Sequence, residues 1–316
     1  MRLAVIGAGV MGTNHARVAT TVVEARLTHV IDADAARARA LAASSGAIAG
    51  TDPLSVLGEV DAAIVALPTS HHAEVAVPLL EAGVHCLVEK PIAPTVADAE
   101  RIVEAAERGG ATLAVGHVER FNPAVLEAEK FIDDVIHVEA ARVGPFSARV
   151  ADSVVIDLMI HDLDIVRSIA GGEVASVSAV AQRVRTDTED LATALVTFDS
   201  GVSAVLTASR LGQQKSRTLS VTQHDSHLMV DLMRQEVTIE RVEHVEYTGP
   251  EGTVYRQRGL VEIPMIETRG EPLWLEQRDF IASVTEGRAP RVGGADGIAA
   301  LRMALEVVET CRVASR

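Results

Sequence analysis

The chain has 316 residues, which suggests two domains and leaves ample length for a hydrophobic core. Its formal net charge of −15 argues against a nucleic-acid partner, because such a partner needs a basic surface. Hydrophobic residues make up 48% of the chain, yet no apolar run could span a bilayer and no export signal precedes the first strand, so we expect a cytoplasmic protein without a membrane partner.

The chain begins with a strand, a glycine-rich turn and a helix. Leu3–Ile6 is a short apolar run typical of a strand that is buried on both faces. Gly7, Gly9 and Gly12 then follow the G-x-G-x-x-G pattern, and Val10–Ala19 can continue as a helix. In this pattern the first glycine permits the tight turn, the second lets the backbone approach a pyrophosphate, and the third allows the helix to pack closely on the strand. The turn therefore predicts a dinucleotide site.

Asp32 supports that prediction. It lies 20 residues beyond Gly12, at the end of the apolar run Ala25–Ile31. A carboxylate at this place can accept hydrogen bonds from an adenosine ribose, which favours NAD over NADP as the cofactor. A role as N-cap of the next helix is compatible with this interpretation.

Strand and helix signals alternate through the first part of the chain. The predicted strands are Arg2–Ile6, Ala25–Asp32, Asp61–Leu67, Val84–Val88 and Thr112–Val115, and the predicted helices between them are Asp34–Ser44, Ser70–Ala82 and Thr95–Arg108. This alternation predicts a parallel, doubly wound sheet, whose ligands bind at the carboxyl ends of the strands.

Lys90 stands at one of those strand ends. It follows an apolar strand and precedes Pro91, which restricts the backbone of the residue before it. A lysine held in this way can donate to a hydroxyl or carbonyl oxygen, and burial can lower its pKa; a solvated surface lysine is the alternative. Cys86, in the same strand, is interpreted as a core residue, and with Cys311 it makes no disulfide framework.

From about Ile136 onward the alternation fails, and long strands with period-two character follow. The candidates are Val174–Val184, Ala192–Phe198, Val202–Arg210, Arg217–Thr222, Leu228–Leu232 and Val237–Val242, and two helices, Leu273–Glu286 and Ala295–Val313, close the chain. We therefore expect an α/β chain: an N-terminal Rossmann doubly wound parallel sheet and a C-terminal α+β domain with a largely antiparallel sheet. The expected division is 1–121 for NAD binding and 122–316 for substrate binding and oligomerisation, with the terminal helix packing back on the first domain.

One apolar helix, Val154–Val166, interrupts those strands. Asp157 and His161 are four residues apart and share a face, and Asp164 lies three residues further along. Polar groups in a buried helix need partners or a cavity. Histidine titrates near neutral pH and suits a general base, although a structural core histidine is the alternative. A metal site would need further ligands at suitable spacing, and we expect none.

Together these motifs resemble the Gfo/Idh/MocA family of NAD(P)-dependent sugar and cyclitol oxidoreductases. The resemblance rests on GAGVMG, a Pro-Thr-Ser-x-His segment, VEKPI and the Asp157/His161 pair, and it covers nearly the full chain. It implies that Lys90, Asp157 and His161 form the catalytic constellation. The antiparallel sheet is then the substrate platform and the interface of a homo-oligomer, a dimer or a tetramer. With the glycine turn it implies these cofactor contacts: Gly7, Gly9, Val10, Met11, Gly12, Asp32, Leu67, Pro68, Thr69, His72, Glu89, Lys90 and Pro91.

Three further segments, GHVERFNPA, RVGPF and VVIDLMIHDLDIV, resemble the family branch described as UDP-N-acetylglucosamine 3-dehydrogenases. This implies a sugar nucleotide as the small-molecule substrate. It also implies that Arg120, Asn122 and Arg142 contact the sugar or its diphosphate, beside the three catalytic residues.

The expected reaction is oxidation of a secondary hydroxyl by hydride transfer to nicotinamide. His161, held by Asp157, takes the hydroxyl proton, and Lys90 stabilises the oxygen as negative charge develops. Three alternatives stay open: a dehydrogenase of inositol or another polyol, a protein that binds NAD without turnover, and an enzyme that uses NAD transiently to cleave a glycosidic bond.

Overall fold

The computed structural model describes residues 1–147, 152–249 and 252–313. The chain divides into two compact units. The first comprises Met1–Phe121 and Gly270–Arg302, and the second comprises Asn122–Arg269 and the residues from Met303 onward. The domain division expected from the sequence, 1–121 and 122–316, stays a prediction, because compactness does not show which segments fold on their own.

The first unit is built on a six-stranded sheet in which every pair of neighbours is parallel. Its strands are β1 (Arg2–Ile6), β2 (Arg26–Ile31), β3 (Ile48–Gly50), β4 (Ala62–Val65), β5 (His85–Glu89) and β6 (Leu113–Gly116). The spatial order is β3-β2-β1-β4-β5-β6, so the chain reverses direction across the sheet between β1 and β4. The predicted doubly wound sheet is confirmed, and ligands of such sheets bind at this reversal.

Helices α1 (Val10–Ala19), α2 (Ala35–Ala43), α3 (His72–Glu81) and α4 (Val96–Gly109) connect these strands. Their ends follow local capping chemistry. Asp34 accepts hydrogen bonds from two backbone N–H groups at the start of α2, and Thr95 accepts one from Asp98 N at the start of α4. Gly110 ends α4 in the left-handed conformation.

The second unit is built on a nine-stranded sheet. Its strands are β7 (Val135–Val143), β8 (Val174–Gln182), β9 (Leu191–Phe198), β10 (Ser203–Ser209), β11 (Ser216–Gln223), β12 (His227–Asp231), β13 (Glu236–Gly249), β14 (Gly252–Glu262) and β15 (Cys311–Val313). Their order is β14-β13-β12-β11-β7-β10-β9-β8-β15. Only the pairs β7–β10 and β8–β15 are parallel among these strands, which confirms a largely antiparallel sheet.

Helices cover one face of that sheet. After α5 (Pro123–Ala128), a π-helical turn, Val155–Met159, leads directly into α6 (Ile160–Ala170). Val138, Ala140 and Arg142 of β7 are buried, whereas Glu139, between them, is exposed. The sheet therefore has one covered and one open face, and the open face lines a cavity of about 450 Å³.

Two further helices, α7 (Pro272–Glu286) and α8 (Gly294–Thr310), lie between β14 and β15 in sequence. Phe280 and Ile281 of α7 join the hydrophobic core of the first unit. The predicted helix end at Val313 is wrong, because Cys311–Val313 forms β15 and pairs with β8. Backbone pairing at a sheet edge outweighs the helical pattern there. No helix in the described part of the chain is long and apolar enough to cross a membrane.

Candidate active site

The glycine turn after β1 has one open position between two tightly packed ones. Gly7 has φ +103°, and a Cβ there would lie 2.3 Å from Ala66 O. A Cβ on Gly12 would lie 1.7 Å from Gly7 O, so neither position tolerates a side chain. A Cβ on Gly9 would meet no atom within 4 Å. The space beside Gly9 is where a pyrophosphate can approach the backbone.

The first turn of α1 borders this open space. Gly9 is its N-cap and supplies no side-chain hydrogen bond, so the first backbone N–H groups have no side-chain acceptor from the N-cap. Val10 is 74% exposed and Met11 is 37% exposed. Backbone donors that the N-cap side chain leaves uncapped, beside exposed apolar side chains, suit an anionic ligand that also carries an apolar ring.

Asp32 follows β2 and is nearly buried. Its carboxylate accepts from Ala8 N at 2.7 Å and from Asp34 N at 2.8 Å, and it lies 3.1 Å from Arg37 Nη2. A cavity of about 330 Å³ adjoins it. The cavity walls are mostly apolar and include Ile6, Ile31, Leu67, Pro68 and Val75. A largely apolar pocket with the Asp32 carboxylate at its edge fits the adenosine half of a dinucleotide.

His72 links the loops that follow β4 and β5. Its Nε2 lies 2.9 Å from Leu67 O, and its Nδ1 lies 3.1 Å from Pro91 O. Burial lowers the pKa of His72, and the surrounding carbonyl oxygens only partly oppose this shift. Thr69 begins the short 3-10 turn that precedes helix α3, of which His72 is the first residue. The buried imidazole therefore sets the spacing of two loops at the reversal point of the sheet.

Glu89, the last residue of β5, is held by side chains that the sequence interpretation did not single out. His15 Nε2 donates to Glu89 Oε1 at 2.7 Å, and Gln277 Nε2 donates to His15 Nδ1 at 3.0 Å. Because Nδ1 accepts, the imidazole proton is on Nε2. Burial alone would raise the pKa of Glu89, but the His15 hydrogen bond and the Lys90 charge bring it below its usual value. The Glu89 side chain is thus a buried, ionised carboxylate.

Lys90 follows this carboxylate and is half-buried; the Lys90–Pro91 peptide is cis. His117, at the end of β6, is fully buried. Burial, together with the charges of Lys90 and Arg120, lowers the pKa of His117 to about 3. The imidazole is therefore neutral at physiological pH and adds no second positive charge beside Lys90.

Glu276 of α7 is a second buried carboxyl group, close enough to Glu89 to interact with its charge. Its carboxyl oxygens make no hydrogen bond among the described residues. Burial, followed by the charges of Glu89 and Asp279, raises the pKa of Glu276 well above its usual value. A neutral carboxylic acid thus lies close to an ionised one. Sequence patterns could flag His15 as a polar residue on the buried side of α1, but they could not pair it with Gln277, 262 residues away.

In the second unit, Asp157 lies in the π-helical turn and His161 lies in the first turn of α6. Both are half-buried, as are Ile156 and Leu158, whereas Asp164 is fully buried. The predicted helix is therefore accessible along one stripe, which carries the two predicted catalytic residues. π-Helical turns inside α-helices are frequent at functional sites.

The predicted substrate contacts lie in three different local settings. Arg142 donates to both carboxylate oxygens of Asp162, at 2.9 and 2.7 Å, and both side chains are buried. Asn122 caps α5 and donates to Leu232 O at 2.9 Å. Arg120 is 8% exposed. Their contacts with substrate stay predictions. Among residues 1–147, 152–249 and 252–313, no group of three or more His, Cys, Asp or Glu side chains is placed to hold a metal ion.

Two profiles of one protein family match successive parts of the chain. Residues 1–117 match the GFO/IDH/MocA profile described as an oxidoreductase family with an NAD-binding Rossmann fold. Residues 96–228 match the profile of the GFO/IDH/MocA C-terminal domain.

Relatives of two specificities match over nearly the whole chain. A UDP-N-acetylglucosamine 3-dehydrogenase of Acidithiobacillus ferrooxidans is 33% identical, over 97% of this chain and 96% of its own. Its solved structure superposes with a TM-score of 0.88 at 32% identity, covering 98% of this chain and 97% of that one. The scyllo-inositol 2-dehydrogenase (NAD(+)) of Bacillus subtilis is 28% identical, over 99% of this chain and 94% of its own. A levoglucosan dehydrogenase in complex with NADH has the same fold (TM-score 0.83, 21% identity, 98% of this chain and 96% of that one).

Proposed function

The chain belongs to the Gfo/Idh/MocA family of oxidoreductases, and on that premise we propose that it oxidises the C3 hydroxyl of UDP-N-acetylglucosamine with NAD. The observation that supports this choice of substrate is the similarity, in sequence and in fold and over nearly the whole chain, to a UDP-N-acetylglucosamine 3-dehydrogenase. Inositol dehydrogenases are also relatives and supply the second candidate substrate class.

The residues of the first unit fit the cofactor. Gly9 leaves room for the diphosphate at the start of α1, and Asp32 offers a carboxylate to the ribose. A carboxylate at this position repels the 2′-phosphate of NADP, so we assign NAD. Bound NAD supplies the acceptor for the hydride of the carbinol carbon.

Side chains of the protein accept the hydroxyl proton of the substrate and stabilise the negative charge that develops on its oxygen. His161, held by Asp157, takes the hydroxyl proton, and Lys90 donates to the oxygen as negative charge builds up. Glu89, ionised directly behind Lys90, balances the positive charge of the ammonium. Acid–base assistance of this type supplies about 10²–10⁴-fold in rate. The proposal requires Lys90 and His161 to meet at the reacting carbon.

We further assign the working enzyme to the cytoplasm and to a homo-oligomer, a dimer or a tetramer. Both cysteines, Cys86 and Cys311, are unpaired thiols, which suits a reducing compartment. The open face of the nine-stranded sheet carries exposed apolar side chains, among them Leu195 and Met229, and such a face suits association of identical chains.

A substrate panel tests this function. The purified protein is incubated with NAD or NADP and with UDP-N-acetylglucosamine, other nucleotide sugars, or inositols, and NADH absorbance is followed. We expect turnover with UDP-N-acetylglucosamine and NAD. Turnover with inositol alone would support the second candidate, product without net NADH would indicate transient use of NAD, and binding without turnover would indicate a sensor.

Two variants test the proposed catalytic residues. We expect Lys90→Met and His161→Ala to lower kcat by about 10²-fold or more, because each removes a group that acts in the transition state, while the Kd for NAD stays near that of the wild type. His224→Ala, whose exposed side chain lies in the second unit, is the control and keeps wild-type kcat. Wild-type kcat in either of the first two variants would remove that residue from the mechanism.

A further inference from the structure

The Asp32 carboxylate, which the proposed function assigns to the adenosine ribose, is shared with a neighbouring cation. Arg37, in the first turn of α2, places its Nη2 atom 3.1 Å from Asp32 Oδ1. The same guanidinium places its Nε atom 3.4 Å from Asp34 Oδ2. The Arg37 side chain is 58% exposed, and it lines the cavity of about 330 Å³ that adjoins Asp32. The group around Asp32 therefore consists of two carboxylates and one guanidinium.

The hydrogen bonds of Asp32 leave room for a ligand. Its Oδ2 accepts from Ala8 N at 2.7 Å, and its Oδ1 accepts from Asp34 N at 2.8 Å. A carboxylate offers about four lone-pair sites, so at least one stays open to a ribose hydroxyl even with Arg37 beside Oδ1. In NADP the 2′-oxygen of this ribose carries a phosphate and has no proton to donate. Asp32 alone therefore disfavours NADP.

Arg37 is held only weakly in its present position. An ion pair made by an exposed side chain contributes little to stability, because water screens it, so turning Arg37 from Asp32 to another anion costs little. Other donors nearby are already used. Asp34 accepts from two backbone N–H groups at the start of α2, and His71, which also lines the cavity, lies 3.4 Å from Glu74. Of the basic residues that the structure describes around this cavity, Arg37 is thus the one that a phosphate can recruit.

We propose that Arg37 determines how strictly this site prefers NAD, by exchanging Asp32 for the 2′-phosphate when NADP binds. The inference rests on the proposed function for the dinucleotide site and keeps NAD as the preferred cofactor. With NAD, Arg37 stays beside Asp32, and the carboxylate accepts from the ribose. With NADP, the guanidinium forms a charge-assisted hydrogen bond to the phosphate, while Asp32 loses its cation and repels the phosphate. NADP is therefore a second, weaker ligand of the same site.

The charges of this group predict how each variant shifts the preference. In the wild type, two carboxylates and one guanidinium leave one net negative charge. Asp32→Asn removes that net charge and releases Arg37 to the phosphate. Arg37→Gln leaves two uncompensated carboxylates and no cation. The double variant, Asp32→Asn with Arg37→Gln, again has one net negative charge, as in the wild type, but it has no guanidinium to offer a phosphate.

Titration calorimetry of the full-length protein with NADPH and with NADH tests the inference. We expect Asp32→Asn to lower the Kd for NADPH about tenfold or more and the double variant to lose that gain, since the gain is a charge-assisted hydrogen bond from Arg37. Arg37→Gln alone should raise the Kd for NADPH by a similar factor and leave the Kd for NADH near that of the wild type. Because Arg37 is exposed, this variant keeps the fold even if Asp32→Asn does not. The control is Arg39→Gln, an exposed residue of the same helix that does not line the cavity, and it keeps both wild-type affinities.

The outcomes distinguish the role of Arg37 from the proposed function. Wild-type NADPH affinity in Arg37→Gln, or a double variant that binds NADPH as tightly as Asp32→Asn, would overturn the inference while NADH binding and the proposed reaction stand. An absence of NADPH binding in both the wild type and Asp32→Asn would do the same. NADPH binding that depends on Arg37, without oxidation of UDP-N-acetylglucosamine, would support the inference and overturn the proposed substrate. Failure of the wild type to bind either NADH or NADPH would overturn the dinucleotide site on which both depend.

Discussion

At the scale of single residues, several buried polar groups of the first unit hold the Glu89 carboxylate in place. Gln277, His15 and Glu89 form a continuous hydrogen-bonded chain that ends at Lys90 N. Gly116 packs against it, since a Cβ there would lie 3.1 Å from Glu89 Cα. These buried hydrogen bonds restrain Glu89 and, through it, the backbone from which Lys90 projects.

Glu276 makes this cluster sensitive to pH. Its pKa is raised in the folded protein, so the folded state binds more protons than the unfolded state once the pH exceeds the usual carboxyl pKa. The free energy of unfolding therefore falls as pH rises through that window. We expect Glu276→Gln to remove this dependence, so that the free energy of unfolding of the variant gains on that of the wild type as pH rises above the usual carboxyl pKa, by at most about 1.4 kcal/mol per pH unit.

Urea unfolding of both proteins at several pH values measures the difference. Glu286→Gln, at the exposed C-terminal end of the same helix, is the control and runs parallel to the wild type. Parallel curves for Glu276→Gln as well would mean that this carboxyl titrates normally in the folded protein.

Local motifs and long-range pairs differ in how far the sequence predicts them. The separate steric roles of Gly7, Gly9 and Gly12 follow from spacing alone, and the space around each residue agrees with them. His15 and Glu276 are different. Each acquires its environment from a segment distant in sequence, and no periodicity encodes that meeting.

At the scale of elements, α6 is fastened to β7 by the Arg142–Asp162 pair. The two side chains are 3% and 5% exposed, so the removal of one leaves the other charge buried. We expect Asp162→Ala to lower the free energy of unfolding by about 3–5 kcal/mol. Because the partners share one interaction, Arg142→Ala combined with Asp162→Ala loses less than the sum of the single variants.

A double-mutant cycle in urea measures this coupling. The Arg108–Glu81 pair is the matched control, with a 2.8 Å contact between side chains that are 54% and 46% exposed. We expect its coupling to be about 1 kcal/mol or less. Additive losses at Arg142 and Asp162 would show that the pair does not fasten α6 to the sheet.

The sequence predicts those helices and strands whose conformation follows from a pattern in their own residues. Helix α1 has the predicted bounds, Val10–Ala19, and the strands of the first sheet match their apolar runs to within a few residues. The short strands β3 and β15 were not predicted, since three residues carry no periodicity and each strand depends on pairing with a neighbour. The π-helical turn at Asp157 also escaped prediction, because an apolar run with polar residues four apart is equally compatible with a regular α-helix.

At the scale of the whole molecule, the open face of the nine-stranded sheet is the surface that association would cover. Val180 is 57%, Leu195 46% and Met229 51% exposed, on three separate strands. Leu195 pairs directly with Val205 of β10. Several large apolar side chains exposed on one face are uncommon on monomers. On these proposals the two faces of the sheet have different roles: the face covered by α6 carries the predicted substrate residues, and the open face is the proposed contact between chains.

Light scattering on the purified protein tests this surface. We expect the mass of a dimer or a tetramer, because a twofold axis buries the same apolar patch on both partners. Leu195→Glu combined with Met229→Glu places charges inside that contact and should yield monomers. Val23→Glu, at a position that is 94% exposed in the first unit, is the control and keeps the wild-type mass. A monomeric wild type, or a double variant that stays assembled, would mean that some other surface or none joins the chains. Folded monomers that still oxidise substrate would show that each chain carries a complete site, so that association serves stability rather than chemistry.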